Sequence, residues 1–130
     1  ESERLGLPVR FVGAVSGTEK QTLLWASDAL VLPSLQLADG RTEGAPVVLW
    51  EALAAGCPVV ASSVGGVAEQ LQSAGLLTKP GEASSLLGAL RQVLCDEKTA
   101  DQLRAAGLLR AQAADWSVIG PRLLGPALMP

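Results

Sequence analysis

The stretch Glu43-Gly44-Ala45-Pro46-Val47-Val48-Leu49-Trp50-Glu51-Ala52-Leu53-Ala54-Ala55-Gly56-Cys57-Pro58-Val59-Val60-Ala61 reads as a helix followed by a strand. Gly44 frees the backbone, and Pro46 suits a first helical turn because its missing N–H would have no partner there. Val47 to Ala55 is almost wholly apolar, and Gly56 stops it. Pro58–Ala61 is then a short apolar run, as expected of a buried strand. Glu51 is the only charge on this helix, and its same-face neighbours Val47, Val48, Ala54 and Ala55 offer no cation. A buried carboxylate without a partner is costly, so a donor from outside the helix is predicted, with a ligand as a good candidate.

Outward from this unit the pattern alternates strand and helix. Upstream, Val9–Val12 reads as a short strand ending at Gly13, and Ser16-Gly17-Thr18-Glu19 fits a capping box. The box opens a helix through Trp25 with Leu23 and Leu24 inward. Ala29–Leu32, closed by Pro33-Ser34, has the look of a strand buried on both faces, and a polar loop runs from Gln36 to Thr42. Downstream, Gly65-Gly66 marks a turn before a short helix over Val67–Gln72, and Leu76–Thr78 is a brief strand ended by Pro80-Gly81. From Glu82 to about Ala114 the signal is helical with a break near Asp96. Leu86, Leu87, Leu90 and Leu94 form one expected apolar face, and Leu103, Leu108 and Leu109 another. Ser117–Pro130 is apolar but broken by Gly120-Pro121 and Gly125-Pro126, so no single helix is assigned there. Strands joined by helical crossovers predict an α/β fold, a Rossmann-like parallel sheet with helices on both faces. Ligands of such sheets bind at the carboxyl ends of the strands, where Gly13, Ser34, the Glu43 loop and Gly65-Gly66 are expected to gather.

Composition narrows the function. With 130 residues, 48% apolar and 18% charged, the chain can bury a core, although aromatic residues make up only 3%. The net charge of −3 and the absence of any basic run argue against nucleic acid as a partner. The chain has no histidine and only two cysteines, Cys57 and Cys95, so neither a zinc site nor a Ser-His-Asp or Cys-His centre can be built from it. Two distant thiols suit a reducing compartment, where they act as small hydrophobes. No apolar run reaches membrane-spanning length, and Glu1-Ser2-Glu3-Arg4 is not a signal peptide.

The opening stretch can hold an anion. A helix start with free N–H groups after a glycine loop attracts phosphate, and Gly44, Ala45 and the residues just after Pro46 would supply the donors. Glu51 lies five residues beyond Pro46, about 7.5 Å along the helix at the usual rise. That is the reach from a diphosphate to ribose hydroxyls, for which carboxylates are good acceptors. Glu43, before the helix tip, could accept from hydroxyls of a group beyond the phosphates. Taken singly, Glu43 also reads as a solvated loop carboxylate, and Glu51 as a side chain reaching water at the sheet edge. Trp25 and Trp50 read as core residues, Gly65-Gly66 as a turn, and both cysteines as structural. Only the pair of glutamates with the Gly-Ala-Pro between them outweighs these plainer readings.

The ordered set Phe11-Val12-Gly13, Leu24-Trp25-Ala26-Ser27-Asp28-Ala29, Val31-Leu32-Pro33-Ser34, Glu43-Gly44-Ala45-Pro46, Glu51 through Ala61 and Gly65-Gly66-Val67-Ala68-Glu69 resembles a known family. It is similar to the C-terminal domain of retaining GT-B glycosyltransferases, closest to glycosyltransferase family 4, over about Val9 to Trp116. The resemblance implies a Rossmann-like domain that binds a nucleotide-diphosphate sugar, with the acceptor held by a separate N-terminal domain or partner subunit. It places Glu43 at the first glutamate of an E-x7-E motif, on the donor sugar near the reacting carbon, as the catalytic candidate. Backbone groups of Gly44, Ala45 and Pro46 would face sugar and diphosphate, and Glu51 the ribose. Gly13 and Ser34 would border base and phosphates. It also implies no metal and no cofactor, with electrostatic stabilisation of the leaving diphosphate and transfer with retention.

Three departures stand out. Residues 1–130 are expected to form one truncated domain, lacking the upstream Arg and Lys that clamp the diphosphate in the family. The acceptor domain is expected to lie outside these residues, and Ala45 stands where a larger apolar residue is common in the family. The expected function is therefore that of a donor-binding portion, inactive alone, of a cytoplasmic enzyme or one at the cytoplasmic face of a membrane. The alternatives are a non-catalytic degenerate transferase module that binds a nucleotide or partner subunit, and an epimerase or phosphorylase sharing the GT-B architecture. Such a truncated sheet is also expected to self-associate or to be marginally stable unless a partner covers its edge.

Overall fold

A computed structural model of the chain describes residues 4–42, 44–115, 117 and 119. The expected central helix forms as α2 (Val47–Ala54), with Pro46 at its N-cap. Its end is set by hydrogen bonding. Gly56 sits at φ +68, its N–H donates to the Leu53 carbonyl at 3.1 Å, and the Cys57 N–H donates to Ala52 at 2.9 Å. This is a Schellman closure, and it needs a residue free to take the left-handed conformation. The chain then enters β2 (Val59–Ser62), every residue of which is buried.

β2 is the middle of a three-stranded parallel sheet, flanked by β1 (Leu30–Leu32) and β3 (Leu76–Thr78). Val60 lies opposite Val31 on one side and Leu76 on the other. Alternation of side chains sends Val59 and Ala61 to one face and Val60 to the other. The first face packs with α1 (Gly17–Ala26), α2 and α3 (Val67–Leu71) through Leu24, Leu49, Leu53, Val67 and Leu71. The second packs with α4 (Ala83–Cys95) and α5 (Glu97–Ala113) through Ala89, Val93, Ala100 and Leu103. Burying side chains such as Leu49 and Leu53, both at 0% exposure, contributes roughly 1.5–3 kcal/mol each. The Rossmann-like sheet covered on both faces is as the alternating pattern implied.

Several local expectations do not hold. Val9–Val12 is not a strand: no described residue pairs with it, and Phe11 is 86% exposed. An extended segment becomes a strand only when a neighbour takes its N–H and C=O groups. Among the described residues β1 is an edge strand rather than one buried on both faces, and its Val31 is exposed. Ser16 is the N-cap of α1 but makes no side-chain cap, because Gly17 enters the helix at φ +53 and breaks the capping geometry. Leu24 is buried, whereas Leu23 and Trp25 face outward.

In α4, Leu87 and Leu94 are exposed while Leu86 and Leu90 are only partly buried, and the deep contacts come from the smaller Ala89 and Val93. In α5, Leu108 and Leu109 are exposed, and Gly107 brings the helix against Leu53 instead. Leucine counts misjudged these faces because close helix crossings favour small residues. The break at Asp96 is as expected: its carboxylate accepts from the Lys98 N–H at 3.1 Å and from Thr99 Oγ1 at 2.6 Å, capping α5. The stretch Ser117–Pro130 lies almost wholly outside the described residues.

Candidate functional site

In a parallel sheet every strand delivers its following loop to the same edge. Here β1 leads into Pro33 and Ser34, β2 into Ser63–Gly66, and β3 into Lys79–Gly81. The start of α2 is fastened to this edge at two points. The Gly66 N–H donates to the Gly44 carbonyl at 3.0 Å, and the Gln70 side-chain amide donates to the Pro46 carbonyl at 3.0 Å. A Cβ on Gly66 would lie 2.4 Å from the Gly44 oxygen, so only glycine permits this approach. Gln70 is buried, and among the described residues its Oε1 has no hydrogen-bond partner. Leaving a buried acceptor unmet costs about 1–3 kcal/mol, so the pinning of Pro46 is held against a local penalty.

From the far side, Arg110 of α5 donates to the carbonyls of Gln70 and Glu69 at 3.0 and 3.2 Å. Its guanidinium also lies over the Trp50 ring at 5.3 Å, which makes Trp50 a packing residue.

Glu51 projects from the flank of α2. Lys20 of α1 donates from Nζ to its Oε1 at 2.6 Å, and both side chains are about one-third exposed (33% and 32%). The expected outside donor is therefore a lysine of the neighbouring helix, and the carboxylate is half-buried rather than buried. Among the described residues Oε2 accepts no hydrogen bond. The pair borders an open cleft of about 590 Å³ between α1 and α2, lined also by Thr18, Gln21, Trp25 and Ala55. This cleft runs along α2 toward its C-terminal half. Ser34 lies in a separate hollow of about 370 Å³ with Arg41 and Thr42. The Arg41 guanidinium is engaged by Asp39 at 2.6 Å.

The remaining candidates fall out as follows. Gly44 and Ala45 are exposed, Pro46 is buried, and Gly13 sits exposed at φ +71 with open space around it. Glu43 lies outside the described residues. The structure thus joins Gly44, Pro46, Gly66 and Gln70 into one fastening, and places Glu51 in the α1–α2 cleft. It does not bring Gly13 or Ser34 into that cleft.

Lys20 and Gln70 were not singled out from the sequence. Lys20 is 31 positions from its partner, and no local pattern marks it. Gln70 of α3 stands between Glu69 and Gln72, so nothing in the local pattern marks it for burial. Among the described residues no three acidic or cysteine side chains converge as a metal site would require, and no helix is long and apolar enough to cross a membrane.

This parallel α/β sheet, with its loops gathered at the carboxyl edge beside a carboxylate-bearing helix, matches a GT-B glycosyltransferase C-terminal fragment. The chain belongs to the family of glycosyl transferases group 1, whose sequence model matches residues 1–110. It is 40% identical over 84 residues to the amylovoran biosynthesis glycosyltransferase AmsK of Erwinia amylovora, covering 63% of this chain and 21% of that protein. Against glycogen synthase of Mycobacterium tuberculosis it is 36% identical over 113 residues, covering 85% of this chain and 26% of the other. The solved sucrose-phosphate synthase of Thermosynechococcus elongatus superposes with a TM-score of 0.78 at 30% identity, covering 94% of this chain and 30% of that one. The chain therefore spans between a fifth and a third of the length of these relatives.

Proposed function

We propose that residues 1–130 are the donor-binding portion of a retaining glycosyltransferase of family 4, which takes its sugar from a nucleotide-diphosphate sugar. In this reading Glu43 contacts the donor sugar near the reacting carbon. Backbone groups of Gly44, Ala45 and the α2 start face sugar and diphosphate, with Pro46 setting the turn. Glu51 accepts from the ribose hydroxyls, and Gly13 and Ser34 border base and phosphates. No metal is assigned. The developing negative charge of the leaving diphosphate is met by backbone dipoles at the α2 start. The acceptor is held by a separate N-terminal domain or partner subunit, and the enzyme works in the cytoplasm or at the cytoplasmic face of a membrane.

One observation supports this reading above the others. Glu51 lines a cleft, keeps an oxygen that accepts no hydrogen bond among the described residues, and stands on the same short helix whose start is fastened at Gly44 and Pro46. A rigid helix can thus present an anion-binding tip and a diol acceptor at a fixed spacing. The test is calorimetry of the full chain with UDP, GDP and ADP, together with sugar release from the corresponding sugar nucleotides by the longest natural form of the protein. Binding of at least one nucleotide is expected, weakened about tenfold or more by Glu51→Gln through loss of a charge-assisted acceptor. Glu43→Gln is expected to abolish transfer while sparing nucleotide affinity. No binding to any of the three, or full transfer by Glu43→Gln, would overturn the reading.

A further inference from the structure

Lys20 is 31 residues before Glu51 and sits on a different helix, yet its ammonium touches Glu51 Oε1 at 2.6 Å at the mouth of the α1–α2 cleft. A carboxylate on an exposed helix flank ordinarily samples several rotamers, because its last torsion is broad. Here one oxygen is held by a cation anchored on the neighbouring helix, and the second carries no hydrogen bond among the described residues. Burial at both ends is partial, so such a pair contributes little to folding, about 0–1 kcal/mol for exposed ion pairs. What it does fix is direction. With Oε1 taken, Oε2 is left as the acceptor for a vicinal diol that enters the cleft Glu51 lines.

We infer that Lys20 is a positioning residue for ribose recognition: it orients the Glu51 carboxylate so that a nucleotide's 2′- and 3′-hydroxyls find a preset acceptor. The inference rests on the proposed role of Glu51. A preset acceptor loses less side-chain freedom on binding, which is how preorganisation raises affinity. The lysine does not itself need to touch the nucleotide. Its removal should therefore weaken recognition of the hydroxyls and leave recognition of base and phosphates alone.

The experiment compares affinities of UDP, GDP and ADP with those of their 2′,3′-dideoxy forms for the wild-type full chain and for Lys20→Met, Lys20→Arg and Glu51→Gln. The preference for ribose over dideoxyribose is expected to fall about fivefold to tenfold in Lys20→Met, to survive largely in Lys20→Arg, and to vanish in Glu51→Gln. Affinities for the dideoxy forms should be alike in all four proteins, which also shows that each is folded. An unchanged ribose preference in Lys20→Met beside a lost one in Glu51→Gln overturns this inference and leaves the site reading intact. Equal losses for ribo and dideoxy forms in Lys20→Met overturn it as well, since they mean a direct contact to base or phosphate. Tighter ribonucleotide binding by Lys20→Met does so too, by making the lysine a competitor for the carboxylate. If no nucleotide binds the wild type, or Glu51→Gln keeps its ribose preference, both readings fall together.

Discussion

Gly44 and Gly66 meet backbone to backbone, the Gly66 N–H donating to the Gly44 carbonyl at 3.0 Å across the carboxyl edge of the sheet. Gly66 has an ordinary φ of −84°, so it is not required for an unusual conformation but for want of space. Gly66→Ala would drive a Cβ to 2.4 Å from a carbonyl oxygen that cannot swing aside like a side chain. The expected cost is at least the ~1–3 kcal/mol typical of overpacked sites, read as a lower midpoint in urea. Gly44→Ala meets nothing within 4 Å and serves as the control, with a much smaller change. Equal effects at the two glycines would show that the contact does not hold the α2 start.

Leu53 is fully buried where α2 crosses α5, and Gly107 of α5 lies against it. Leu53→Ala is expected to cost about 2–5 kcal/mol, the range for emptying a close-packed leucine site. Gly107→Ala would place a Cβ 3.1 Å from Leu53 Cδ2, the far end of a flexible side chain. It should therefore cost far less than Leu53→Ala in the same urea titration, and partly offset it in the double variant, because the two sites share one space.

The two cysteines should behave differently. Cys57 is buried and Cys95 exposed. Burial pushes the Cys57 thiol above its ordinary value of 9.0, opposed in part by the Leu30 backbone and by Arg104, with Asp28 adding least. Native protein at pH 8 is expected to consume one equivalent of iodoacetamide at Cys95, and two after unfolding. Because the folded thiol ionises later than the unfolded one, its contribution to stability is complete below pH 9.0 and fades above it. Cys57→Ala should flatten that alkaline loss.

On the acid side, Asp96 is held below its ordinary 3.8 by the hydrogen bond from Thr99, side chain first and then backbone. A depressed carboxyl stabilises the fold above the unfolded value and loses this as pH falls through the folded one. The melting temperature is thus expected to drop as pH is lowered below 3.8, with α5 fraying from its start. Asp96→Asn, which keeps a capping oxygen, should melt close to wild type at pH 7 and show a weaker acid dependence. An identical acid profile in the variant would remove Asp96 from the account.

Phe11 and Trp25 are 86% and 82% exposed, and Leu23 and Val31 are exposed as well. β1 and β3 each pair on one side only among the described residues. Apolar side chains and open strand edges of this kind favour association. Sedimentation of the 130-residue chain is expected to show self-association that grows with concentration. A single monomeric species with sharp two-state unfolding would contradict it.

Apolar runs with their glycine, proline and aspartate boundaries carried the order of elements from α1 to α5. The apolar run at Val59–Ala61, the stop at Gly56 and the break at Asp96 are local events, and local chemistry determined them. The family resemblance was legible for the same reason, since its motifs lie in loops and helix starts whose residue types are set by backbone geometry. What the pattern could not decide was which neighbour each residue would meet. Leu87, Leu94, Leu108 and Leu109 looked like core, but contact at the helix crossings is made by Ala89, Val93 and Gly107, because closeness of approach depends on the facing helix. Glu51 was read as lacking a cation on its own helix, and that is true. Its partner Lys20 arrives from α1, 31 positions earlier, because the fold sets those two helices side by side. Composition and spacing thus determined the elements and the candidate carboxylate, while only the tertiary packing decided how that carboxylate is held, since partners distant in sequence leave no local trace.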